Sequence, residues 1–344
     1  MRRRGHAEIT LSIPRFWIPK WDSGCDITCG IMNRMRSRAL IPGSVFATAA
    51  IALAVIALPG CEPNEDSMLR SINASRAPGE IVLDLRDDGS RLLATVQPVA
   101  PFSDEPRSMI VRWFEGRTDG RNLSPQPWAF DNTRVFDAQL VPGSKATVVI
   151  TSERNIFLLQ DRLTIPLKLD SQAYAPVSIS RNGRYIAYAR GEMPDLEIVR
   201  FDIHNLARVD VTENMAPTWN PVLSEDGSRL IFVSGSTGFP ELWELRDDEN
   251  QSGPRQITNR ETNPIPFPTG PSTPIWNKGF IAFEDTEGVH VLSIEPPQLL
   301  RSMPGTLPIV INNSLLIQDR HNGGMNWVPF ASFENTASNT KVAR

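Results

Sequence analysis

Along most of the chain short apolar runs alternate with tight polar pairs. Tyr185 to Tyr188 follows Asn182-Gly183, Leu230 to Phe232 follows Asp226-Gly227, and Val148 to Ile150 follows Pro142-Gly143. Short apolar runs bounded by such pairs predict strands joined by hairpins. Glycine takes the positive φ that a tight turn needs, and Asn or Asp beside it tolerates the same region and bonds its own backbone. Gly89, Gly143, Gly183, Gly227 and Gly279 are therefore read as structural turns, not as parts of a metal or phosphate site.

The pattern repeats. Ser180-Arg181-Asn182-Gly183 recurs as Ser224-Glu225-Asp226-Gly227 at an offset of 44 residues. The following Leu196-Glu197-Ile198 and Val211-Thr212 recur as Glu241-Leu242-Trp243 and Ile257-Thr258. Asp88-Gly89-Ser90-Arg91-Leu92 repeats Asp226 to Leu230 at an offset of 138, close to three such units. Weaker copies begin at Pro142, Pro274 and Leu307. A fixed period of this length implies a repeat architecture.

The first 60 residues differ. Arg34, Arg36 and Arg38 precede an uncharged stretch from Ala39 to Leu58, followed by Pro59-Gly60-Cys61. This is the order of a signal peptide. Leu58-Pro59-Gly60-Cys61 resembles a lipobox, the motif after which a cysteine is acylated and becomes the mature N-terminus. Pro59 stands where that motif usually has a small residue. The resemblance implies lipidation at Cys61, and Glu62 in place of Asp favours an outer-membrane address. An uncleaved anchor is the bland alternative, because about 20 uncharged residues can span a bilayer. Met32 and Met35 are candidate starts besides Met1, and residues 1–31 are read as an unstructured or mis-started extension.

Composition narrows the partners. The three cysteines are Cys25, Cys29 and Cys61, so no disulfide is available to the repeats. After residue 60 the chain has 27 Lys and Arg against 36 Asp and Glu, a formal net charge of -9. That sign repels phosphate backbones, so no nucleic-acid partner is expected.

With Pro221 to Ser234, Glu241-Leu242-Trp243 and Gln256-Ile257-Thr258 in view, the repeat resembles that of TolB-like propellers (WD40-like, PD40). The resemblance implies an all-β, six-bladed β-propeller of four-stranded antiparallel blades over 67–333. It would follow a signal peptide at 32–60 and a tether at 61–66, and precede a polar tail at 334–344. A TolB protein proper has a further domain before its propeller, for which 62–66 is too short.

Chemistry is sparsely signalled. Gly-x-Ser-x-Gly, His-Glu-x-x-His and the phosphate-binding Gly-x-x-x-x-Gly-Lys motif do not occur. His204, His290 and His321 fall singly in different repeats, and Asp247-Asp248-Glu249 reads as a solvated hairpin. Trp113, Trp128, Trp219, Trp243, Trp276 and Trp327 recur about once per unit and are expected to pack between blades. No cofactor or metal is predicted. A lipid-anchored scaffold binding an envelope protein or cell-wall component is favoured over a propeller enzyme, such as a lactone hydrolase or a metal- or quinone-dependent dehydrogenase. Three or more carboxylate and amide side chains converging in the central channel would favour the enzyme. Finally, residues 69–73 have the character of an outer strand, and are expected to pair with 326–330 and lock the ring.

Overall fold

The structure, a computed structural model, describes residues 65–333 except 78–79, 87–89, 96–108, 118–120, 213–214, 216, 248–252, 260–273, 286, 312–313 and 320–323. The described residues all belong to one compact unit, Pro59–Arg344.

One helix, α1 (Glu65–Ser75), precedes the strands. The first sheet has eight strands and consists of two antiparallel meanders. The first meander is β1 (Ile81–Leu85), β2 (Arg91–Thr95), β3 (Met109–Glu115) and β4 (Ser124–Gln126). The second is β5 (Arg134–Leu140), β6 (Thr147–Thr151), β7 (Ile156–Leu159) and β8 (Leu167–Asp170). They join where Met109 and Ile110 of β3 pair with Val135 and Arg134. Three four-stranded sheets follow. The third meander is β9 (Ala173–Ile179), β10 (Tyr185–Arg190), β11 (Glu197–Asp202) and β12 (Ala207–Asp210). The fourth is β13 (Thr218–Leu223), β14 (Arg229–Ser234), β15 (Glu241–Arg246) and β16 (Arg255–Gln256). The fifth is β17 (Ile275–Asn277), β18 (Phe280–Glu284), β19 (Val289–Ile294) and β20 (Pro297–Met303). The last sheet has three strands, β21 (Thr306–Ile311), β22 (Ser314–Gln318) and β23 (Met325–Pro329). These antiparallel sheets are arranged as a propeller.

The first strand of each meander lies innermost. β1 packs against β5, β5 against β9, β9 against β13, β13 against β17, β17 against β21, and β21 against β1. Side chains of these strands satisfy backbone donors of the next one. Asp84 accepts from the Leu140 N–H at 2.7 Å, Asp137 from Val177 at 2.8 Å, and the Ser178 hydroxyl from Leu223 at 2.9 Å. A buried N–H without a partner costs about 1–3 kcal/mol, so each contact fixes the register of neighbouring meanders. Middle strands such as β6, β18 and β22 are buried at every position, because both of their faces meet neighbouring sheets.

The ends of the ring meet differently from expectation. Residues 69–73 are helical and pair with no strand. Met68, Leu69 and Ile72 recur at helical spacing after two acidic residues, which suits a short amphipathic helix. Met68 and Ile72 are buried with Leu85, Leu92 and Phe114 of the first meander and Ile309, Ile311 and Leu316 of the last, while Met325 and Trp327 of β23 pack alongside. The helix thus packs into the core that the first and last meanders share. Gln318 adds a polar clasp. Its Oε1 accepts from the Val82 N–H at 2.8 Å and its Nε2 donates to the Val82 carbonyl at 2.6 Å, joining residues 236 positions apart.

The Thr of the repeated Val-Thr and Ile-Thr pairs closes the outer edge of its meander. β12 ends at Asp210 and β16 at Gln256, so Thr212 and Thr258 lie just beyond the outer strands. Their hydroxyls accept from Ile198 and Leu242 N–H groups at 2.7 and 2.9 Å, replacing the strand partner where the chain turns away.

Candidate interaction face

The hairpins between the first two strands of the third and fourth meanders share one construction. In the third, Ser180 Oγ donates to Asn182 Oδ1 at 2.7 Å, Asn182 Oδ1 accepts from the Arg184 N–H, and Ser180 Oγ accepts from Tyr185 N–H. In the fourth, Ser224, Asp226, Ser228 and Arg229 repeat these bonds. Asp226 is held below the usual carboxylate range by the Ser224 hydroxyl and the Ser228 N–H. Gly143, Gly183, Gly227 and Gly279 lie at φ +67°, +69°, +79° and +85°. Gly89 and Cys61 lie outside the described residues.

The structure brings these turns together, which local turn chemistry does not foretell. Asn182 donates from its backbone N–H to Glu225 O and from Nδ2 to Asp226 O, and the Glu225 carboxylate accepts from Lys278 N–H at 3.1 Å. A Cβ on Gly183 would sit 2.4 Å from the Pro142 carbonyl oxygen, and one on Gly227 would sit 2.3 Å from the Tyr185 ring. Gly143 and Gly279 face open space. The turns of the second to fifth meanders therefore line one face in close contact.

On that face charged side chains are held in place. Glu244, inaccessible to solvent, accepts from Arg229 Nε at 2.6 Å, Arg255 Nη2 at 2.6 Å and Arg246 Nη2 at 3.0 Å. Glu295, from the fifth meander, bridges Arg229 at 2.7 Å and Arg246. The Arg229 guanidinium also lies over the Trp276 ring. Burial raises the Glu244 pKa, but the hydrogen bonds from Arg246, Arg255 and Arg229 outweigh it and leave the group below its ordinary value. Three guanidinium groups against two carboxylates leave one positive charge. Arg255 and Glu295 are about half exposed. Next to this cluster Arg200 reaches Asp247 at 2.6 Å, and Arg184 pairs with Asp202. The alternation of Glu and Arg over Glu244 to Arg246 was the available signal, and its meaning depended on Arg229 and Glu295 arriving from elsewhere.

The remaining candidates are placed as follows. His204 is exposed, and His321, Asp248 and Glu249 lie outside the described residues. His290 is not alone: its Nδ1 is 2.8 Å from Ser302 Oγ and its Nε2 2.7 Å from Asp285 Oδ1. The connectivity is that of a base-activated serine. However, Asp285 is not aligned for a hydrogen bond to Nε2, and its Oδ1 already accepts from Glu287 and Gly288 N–H groups. The imidazole is buried against Phe283, which makes this a packed, oriented histidine. Trp113, Trp128 and Trp276 are buried, while Trp219, Trp243 and Trp327 are partly so. Among the described residues no three His, Cys, Asp or Glu side chains converge on a metal-sized site, and no helix is long and apolar enough to cross a membrane.

The chain is similar in structure to TolB. TolB from Agrobacterium tumefaciens aligns over 73% of this chain and 90% of its own, with a TM-score of 0.47 and 16% identity. TolB from Acinetobacter baumannii aligns over 77% and 70%, with a TM-score of 0.44 and 14% identity. A chain of the nidogen/laminin complex aligns over 75% and 91%, with a TM-score of 0.46 and 11% identity. No family model matches, and no curated protein matches in sequence. The likeness to TolB is one of fold.

Proposed function

We propose that this chain is an exported, lipid-anchored, six-bladed β-propeller that serves as a protein-binding module of the cell envelope. The sequence order from Arg34 to Cys61 supports export and acylation. The cycle of inner strands from β1 to β21 supports six blades, with α1 packed where the first and last meet. The propeller then spans 67–333, with 32–60 as signal peptide and 334–344 as a polar tail. Because α1 starts at Glu65, the tether is shorter than 61–66.

Binding by the hairpin face rests on one observation, the network of Arg229, Glu244, Arg246, Arg255 and Glu295 across two meanders. Its side chains are ordered before any partner arrives. Immobilising long side chains costs about 0.5–1.5 kcal/mol each on association, and here that cost is met in folding. Such a surface suits a protein partner with complementary charges. A photo-crosslinking residue at position 255 should give a discrete protein adduct in intact cells, whereas one at position 239, on another loop, should not. Identical adduct patterns from both positions, or none from 255, would count against this face. Radioactive palmitate should label the wild type, and Cys61→Ser should abolish the label and leave an unprocessed precursor.

A further inference from the structure

The largest exposed apolar side chains of one segment alternate along the loop from β7 into β8: Leu163 is 67% exposed, Ile165 89% and Leu167 43%. Water is a poor environment for three such side chains in sequence, and a cluster of this kind marks a contact surface. The loop is held in shape. Ala129 N–H donates to the Arg162 carbonyl at 2.7 Å, Arg162 Nη1 donates to Pro127 O, and Arg162 Nε lies 3.2 Å from Glu115. Thr164 N–H closes a turn on Asp161 O. Lys168, next to Leu167, is exposed.

The position of this loop points to its occupant. It is fastened to Glu115 of β3 and to Pro127 just after β4, whereas Met68 and Ile72 of α1 share a core with Phe114 and Leu123 of the same stretch. Loop and helix therefore flank one segment of the rim. In sequence, three residues separate Cys61 from Glu65, a span of at most about 14 Å when extended. An acylated Cys61 would hold this rim against the headgroup region.

We infer that Leu163, Ile165 and Leu167 form a membrane-docking tip that enters the interface between headgroups and acyl chains, with Lys168 at the phosphate level. This rests on the reading of Cys61 as acylated. Apolar tips flanked by a cation suit that boundary, where the lysine stem lies along apolar matter and its ammonium remains hydrated. The net charge of -9 after residue 60 opposes general adsorption to an anionic surface, so contact is confined to the tip and the anchor. The tip sets the orientation of the ring relative to the bilayer, and the acyl chains supply retention.

The chain after Cys61 is free of cysteine, so a thiol-reactive, polarity-sensitive dye can be placed at will. Processed full-length protein with Ile165→Cys or, as control, Phe239→Cys would be reconstituted into phosphatidylcholine–phosphatidylglycerol vesicles carrying a spin label on the acyl chain. Emission at position 165 should rise several-fold and be quenched by the spin label, while position 239 should respond as in water. A palmitate-labelled protein whose position 165 remains water-like would overturn the inference and leave the anchor standing. Loss of palmitate labelling with quenching at 165 would retire the anchor and keep the tip. A rise at 165 on concentrating vesicle-free protein, without quenching in vesicles, would assign the tip to a second copy of the chain and overturn membrane docking.

Discussion

The hairpin of the fourth meander and the seam between the last and first meanders hold the same ring together by different means. The bonds that shape the turn among Ser224, Asp226, Ser228 and Arg229 span five residues or fewer, and the third meander repeats them at Ser180 to Tyr185. The seam has no internal copy. It depends on Ile72 and Met68 entering a core shared with β21 and on Gln318 reaching Val82. Local bonds form with little loop-closure entropy, whereas the seam must close nearly the whole chain. A failing seam should therefore loosen the ring, and a failing turn should weaken one hairpin.

The largest effect is expected at the seam. Ile72→Ala leaves a cavity in a fully buried site and should cost about 2–5 kcal/mol. Urea unfolding followed by tryptophan fluorescence would measure it, and an unchanged midpoint would mean that α1 is not part of the ring. Next come the turns. Gly183→Ala adds a clash with the Pro142 carbonyl to the strain of positive φ, which alone is worth about 1–3 kcal/mol, while Gly143→Ala at nearly the same φ meets open space. The former should be distinctly the more destabilising in the same assay; equal effects would show that the turns do not press on one another. Gln318→Leu strands the Val82 N–H and carbonyl, at about 1–3 kcal/mol. Hydrogen exchange should then quicken at Val82 and remain slow at Leu223.

Acid should discriminate further. The folded-state pKa of Glu244 is depressed, so the unfolded chain takes up the proton first. Its contribution is fully present above the ordinary glutamate value of about 4.3 and is lost as pH falls through the folded value. Glu244→Gln should therefore be less stable than wild type at pH 7 and lose less on acidification, as thermal melts between pH 7 and 3 would show; parallel losses would dismiss the network. Smallest of all, Ser228→Ala should move the midpoint little, because its hydroxyl serves an exposed carboxylate whose backbone partner remains.

Much of the fold could be read before the structure was known, and the reason is repetition. An offset of 44 residues between Ser180 and Ser224 carries strand, turn and glycine together, so each copy confirms the other. The stretch from Leu69 to Asn73 reads as a strand because five residues with only Leu69 and Ile72 apolar are too few to fix a period. Only Met68 and Ile72 taken together show the helical period, and only the partners on β21 and β22 make burying that face favourable. The face network was illegible for a related reason. Arg229, Glu244 and Glu295 are ordinary charged residues in sequence, and their pairing follows from two meanders lying side by side.

The sequence by itself determined the turns, the strand alternation and the repeat, because those depend on φ preference and on bonds between near neighbours. The tertiary structure decided how the ring closes, why Gly183 and Gly227 tolerate no Cβ, and which charges meet. Each of these depends on groups brought together from distant positions, whose separation in sequence carries no trace of their separation in space.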